Sequence, residues 1–81
     1  MKLLYFSADW CNPCRTFGPI MEQVSKTCQV QKINVDEDST LAAKYNIRNV
    51  PTVVKVDSNG NEIDKFVGVK TVEQIGRFIN G

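Results

Sequence analysis

Eighty-one residues make one small domain, near the size at which a single core leaves only roughly a few kcal/mol of net stability. An apolar content of 42% with few glycines and prolines excludes a disordered chain, and a net charge of +1 with acids and bases interspersed excludes a basic block for nucleic acid. No apolar run approaches the roughly 20 residues that span a bilayer. The run at Leu3–Phe6 is too short for the core of a secretion signal. The expectation is therefore a single domain over residues 1–81, cytoplasmic, with no nucleic-acid or membrane partner and with cysteines kept for chemistry rather than for cross-linking.

Residues 2–7 are short, apolar and aromatic and predict a strand. From Asn12 to about Thr27, Phe17, Ile20, Met21, Val24 and Cys28 recur on one helical face, with Gly18-Pro19 inside the helix predicting a kink. Val30–Val35 predicts a second strand, parallel to the first through a right-handed crossover. Asp36-Glu37-Asp38-Ser39 supplies acids and a cap for a short helix through Tyr45. Thr52–Val56 and Glu62–Val67 flank the turn signal Asp57-Ser58-Asn59-Gly60 and predict an antiparallel hairpin. Thr71 with Gln74 forms a capping-box pattern, and Val72, Ile75, Phe78 and Ile79 give the last helix its apolar stripe. The order is β-α-β-α-β-β-α, an α/β arrangement without repeats.

The chemistry concentrates in Trp10-Cys11-Asn12-Pro13-Cys14-Arg15, between the first strand and the first helix. Two cysteines separated by two residues in that context read as a redox pair. A helix N-terminus offers unpaired N–H groups and the positive end of the helix dipole, and both favour a thiolate. Cys11, at the helix start, is expected to be the more exposed nucleophile. Cys14, one turn in, is expected to be shielded and to resolve the mixed disulfide. Pro13 sits in the first turn, where its missing N–H costs nothing. A structural disulfide would constrain little of the unfolded chain across so small a loop. Zinc wants about four Cys or His ligands, whereas the chain has no histidine and only Cys28 outside the pair. Cys28 itself reads as a buried small hydrophobe on the helical face.

The segment Phe6-Ser7-Ala8-Asp9-Trp10-Cys11-Asn12-Pro13-Cys14-Arg15 resembles the active-site segment of thioredoxins, where Trp-Cys-Gly-Pro-Cys-Lys is usual. Pro19, Lys32-Ile33-Asn34-Val35-Asp36, Tyr45–Thr52, Asn59-Gly60 and Val67-Gly68 extend the resemblance, in order, over nearly the whole chain. It implies a thioredoxin-like fold: a four-stranded mixed sheet with helices on both faces, without the extra N-terminal β-α of longer thioredoxins. It implies a cis bond at Val50–Pro51 beside the cysteines, and a substrate strand added to the backbone before Pro51. Val67 and Gly68 then line the same surface, Gly68 leaving room for a substrate backbone. Together with Trp10 these residues are expected to form a small apolar docking patch.

Three positions depart from the family. Asn12 stands where glycine is usual. Ser7 replaces a common tryptophan. Tyr5 occupies the place of a buried aspartate near the second cysteine, and a tyrosine with a reference pKa of about 10 is a poor base. Lys32, which matches the family's lysine near that aspartate, and Asp9 are the remaining candidates for proton handling. An unpaired Asp9 would oppose ionisation of Cys11. The reaction implied is thiol–disulfide exchange on protein disulfides, by a monomer that binds no cofactor and carries only its redox-active Cys11–Cys14 disulfide. Its electrons would come from an external donor, a thioredoxin-reductase-like protein or glutathione, since no nucleotide or flavin motif is present. The rival readings are a glutaredoxin-like reductase fed by glutathione and a binding subunit without redox turnover.

Overall fold

A computed structural model describes residues 1–81. The chain runs β1 (Lys2–Ser7), α1 (Asn12–Val24), β2 (Val30–Asn34), α2 (Ser39–Lys44), β3 (Thr52–Val56), β4 (Glu62–Val67) and α3 (Val72–Asn80). The strands form one sheet in the order β2-β1-β3-β4. β2 lies parallel to β1, whereas β3 and β4 follow as antiparallel neighbours. This is the expected mixed sheet.

β1 is central, and its Leu3–Phe6 run is apolar and aromatic because both of its faces are covered. Leu3 and Tyr5 point to α1 and α3, where they meet Phe17, Met21, Val53, Phe66 and Ile75. Leu4 and Phe6 point the other way, to Ala42 and Tyr45 around α2 and to Val54 and Val56 of β3. Helices thus cover both faces. Burial of side chains such as Phe17, Met21 and Val24 stabilises α1 against the sheet by about 1.5–3 kcal/mol each.

The element boundaries shift slightly from expectation. α1 runs through Gly18-Pro19 and stops at Val24, short of Thr27. The Ser25 and Thr27 hydroxyls donate to the carbonyls of Glu22 and Val24, which competes with further helix. β2 ends at Asn34, whose side-chain oxygen accepts from the Asp36 N–H in a turn. Asp38 proves to be the cap of α2, accepting from the Leu41 N–H at 3.0 Å. The helix closes at Asn46, left-handed with φ 56°. The capping box of Thr71 and Gln74 is present. In the α3 stripe, Ile75 is buried and Phe78 and Ile79 are half-buried, but Val72 is exposed. Helical side chains lean toward the N-terminus, so Val72 in the first position leans off the end of α3. Cys28 is half-buried rather than buried, packed at the margin of the α1/α3 core.

One buried side chain had no precedent in the sequence pattern. Lys55 of β3 is only 4% exposed. Its Nζ donates to the carbonyls of Phe78, Ile79 and Gly81, at 2.9, 3.4 and 3.2 Å, and so caps the C-terminal end of α3.

Candidate active site

The site forms where β1 ends and α1 begins. Ala8–Trp10 turn the chain, and Cys11 becomes the N-cap of α1, with Pro13 in the first turn. One helical turn brings Cys14 back to it, with Cα atoms 5.2 Å apart, and the two sulfurs are joined as a disulfide. The Cys14 N–H donates to Cys11 Sγ at 3.2 Å. This is one of the orphan donors of the helix start, aimed at the sulfur on which negative charge would develop.

Both cysteines are buried, and Cys11 is not the more exposed: it is 3% accessible and Cys14 6%. Ala8, Val35 and Val50 pack around the pair. The Val50 carbonyl oxygen lies 3.6 Å from Cys11 Sγ. The Val50–Pro51 bond is cis, as the resemblance implied. On the far side of Pro51, its carbonyl accepts from the Gly68 N–H at 2.9 Å, which ties the loop after β4 to the cis-proline loop. Gly68 has φ 96°, and a Cβ there would meet no atom within 4 Å. The backbone conformation calls for glycine, and the space above it is open.

Trp10 is 67% exposed and Val67 55%, so apolar surface flanks the Cys11 loop. Trp10 is also tethered: its indole N–H donates to the Asp36 carboxylate at 2.8 Å. Asp36 read only as a helix-start acid in the sequence, because nothing local links it to a residue 26 positions earlier.

Behind Cys14 lies a polar hollow of about 270 Å³, lined by Tyr5, Ser7, Asp9, Cys14, Arg15 and Lys32. The β1–β2 register places Lys32 directly beside Tyr5. Cys14, expected to be shielded, therefore faces polar groups. The Tyr5 hydroxyl donates to the Cys14 carbonyl at 3.2 Å. Burial pushes the Tyr5 pKa above its ordinary 10.0, with Ser7 pulling weakly the other way, so Tyr5 stays a neutral donor. Asp9 is not free, since it accepts from the Asn34 amide at 3.4 Å. Asn12 is exposed on the first turn of α1.

A redox dithiol at a helix N-terminus, beside a cis-proline loop on this sheet, defines a thiol–disulfide oxidoreductase. The thioredoxin family model matches residues 1–81. The chain is 39% identical over 82 residues to the thioredoxin of Rickettsia bellii, covering 96% of this chain and 77% of that protein. It is 38% identical over 78 residues to mouse mitochondrial thioredoxin, covering 91% of this chain but 46% of that one. Among solved structures, a point-mutant thioredoxin from Halobacterium salinarum superposes with a TM-score of 0.87 at 35% identity, covering 96% of this chain and 70% of its own. Reduced Schistosoma mansoni thioredoxin gives 0.86 at 30%, covering 96% and 74%. The chain belongs to the thioredoxin family.

Proposed function

We propose that the protein reduces protein disulfides, with Cys11 as nucleophile and Cys14 as resolving thiol. The observation that carries the assignment is the Cys14 N–H aimed at Cys11 Sγ on the helix cap, which favours thiolate there. The Cys11 thiolate attacks one sulfur of the substrate disulfide. A Cys11–substrate S–S bond forms, and the substrate's second sulfur leaves as a thiolate. Cys14, deprotonated, then attacks Cys11 Sγ. The Cys11–Cys14 bond forms, the mixed disulfide breaks, and the second substrate thiolate departs. The substrate gains two electrons, and the dithiol loses them to an oxidised pair that an external dithiol donor of the thioredoxin-reductase type reloads.

Trp10, Val50, Pro51, Val67 and Gly68 supply the docking face, where exposed apolar side chains surround a strand-ready backbone. Asn12 and Pro13 set the ring between the sulfurs. Tyr5 positions the Cys14 backbone rather than moving its proton. The proton of Cys14 leaves through the hollow behind it, where Asp9 is the sole carboxylate and Lys32 a counter-charge. No helix is long and apolar enough to cross a membrane. Our reading is of a cytoplasmic monomer serving redox homeostasis.

The test is trapping. Cys14→Ser should accumulate a mixed disulfide with an oxidised protein substrate, and Cys11→Ser should not. Trapping by Cys11→Ser alone would reverse the roles, and equal trapping by both variants would refute a division of roles between the two cysteines.

A further inference from the structure

A second hollow, of about 190 Å³, opens beside the docking loop between residues 46–49 and β4. Arg48, Lys65, Asn46, Asn49 and Thr52 line it together with Val67, so its walls hold two cations and no carboxylate. The loop is fixed from both ends. Asn46 takes its left-handed turn after α2, and the Ile47 N–H bonds to the Ala42 carbonyl at 2.9 Å. Ile47 packs against the α2-side core, and the Thr52 hydroxyl donates to the Asn49 carbonyl. Arg48 is thereby held outward and exposed. Lys65 reaches the same hollow from β4, where it pairs with Val54 across the sheet. Neither the Arg48 guanidinium nor the Lys65 ammonium donates a hydrogen bond within the chain, whereas the ammonium groups of Lys2 and Lys55 do.

Position gives this charge a use. Arg48 and Asn49 also line a smaller hollow of about 80 Å³ that contains Trp10 and Val50. Val50 is the residue whose carbonyl stands 3.6 Å from Cys11 Sγ. Arg48 and Asn49, shared by the two hollows, thus carry the charged groove up to the Val50 backbone on which a substrate strand would lie.

We propose that this groove binds a carboxylate of the substrate protein close to its disulfide, so that the enzyme prefers cystines flanked by Asp or Glu. The inference rests on the protein-disulfide reductase reading above and deepens it by naming the substrate class. Two exposed, screened charge pairs together account for a preference of about fivefold.

The experiment measures kcat/KM for peptide disulfides that differ only in Glu or Gln at one, two or three residues on either side of the cysteine. Wild type should reduce at least one Glu peptide about fivefold faster than its Gln twin at about 0.02 M salt, and the ratio should fall toward one at about 0.5 M. In Arg48→Glu/Lys65→Glu the ratio should invert. Equal rates for every pair in wild type would overturn the groove while leaving the reductase reading in place. A ratio unchanged in the double variant would overturn it too. Failure of wild type to reduce any peptide would remove the underlying function and the inference with it. Glutathione disulfide, which also carries carboxylates near its sulfurs, is run in parallel. If it is reduced faster than the best Glu peptide and loses that advantage in the double variant, the groove serves glutathione and the protein-segment assignment is overturned.

Discussion

Replacing Lys55 by methionine should cost the fold about 2 kcal/mol. In the native protein the Lys55 ammonium caps three carbonyls at the end of α3 and lies 5.4 Å from the centre of the Phe78 ring. A cation at a partly buried helix C-terminus is worth up to about 2 kcal/mol, and a cation–π contact adds about 0.5–1. Methionine keeps most of the aliphatic stem and is cheaper to bury, which offsets part of the loss. The balance is a net destabilisation of about 2 kcal/mol, or roughly 8–16 °C in Tm for a domain of this size. Urea unfolding of the oxidised protein measures it, with an unchanged m-value required for the comparison. Lys26→Met, at an exposed site, serves as the control and should stay within about 0.5 kcal/mol of wild type. A Lys55→Met protein as stable as wild type would mean that burying the ammonium costs as much as its three hydrogen bonds return, and would overturn this prediction.

Tyr5→Phe should lower stability by about 1 kcal/mol through the lost bond to the Cys14 carbonyl, yet change kcat/KM for disulfide reduction less than about fivefold. A fall of a hundredfold or more, measured with an insulin-type disulfide assay, would make the hydroxyl a proton-transfer group instead. Asp36→Ala should free the indole of Trp10, and the anisotropy of this sole tryptophan should drop; unchanged anisotropy would mean that the bond does not hold the ring. The Cys28 thiol is pushed above its ordinary 9.0, chiefly by burial, so with the active pair oxidised it should alkylate more slowly at pH 8 than the thiol of the urea-unfolded chain. Mass spectrometry of timed quenches decides this, and equal rates would count against the burial argument. Asp57 is held below its ordinary 3.8, first by the Asn61 N–H and also by the Asn59 N–H. A depressed carboxylate adds stability that is present above that value and lost as pH falls through the native one. Acid titration of wild type should therefore show a loss below about pH 4 that Asp57→Asn lacks.

Much of the molecule was legible in the sequence, and the unread parts share a cause. Strands β1, β3 and β4 and the capping box of α3 were readable because their signals are local: apolar runs, turn residues, a Thr with Gln three residues on. The Cys11–Cys14 pair and its helix were equally local. The cis bond was readable only through the family resemblance. What escaped depends on distant residues meeting. Lys55 looks like an ordinary strand lysine until α3 lays its last carbonyls across it, 23 residues later. The Asp36–Trp10 tether and the meeting of Arg48 with Lys65 require the sheet to be assembled first. The burial of Cys11 is invisible in the local sequence for the same reason, because Val50 arrives over it from 39 residues away.

The two halves of the site belong to different cores. The cysteine helix is seated on the α1/α3 side of β1, whereas the loop from Asn46 to Val50 is anchored by Ile47 on the α2 side. The pairing of β1 with β3, which sets Phe6 opposite Thr52, aligns one with the other, and they touch where Val50 packs on the cysteine pair. The sheet therefore acts as a fixed ruler between an electron-carrying module and a partner-reading module. If the proposed docking role holds, altering the α2 side or residues 46–49 shifts which proteins are received, while the helix start that bears on the Cys11 sulfur is left as it is. A designer seeking a new clientele for this enzyme would begin at Asn46–Asn49 and leave the cysteine helix untouched.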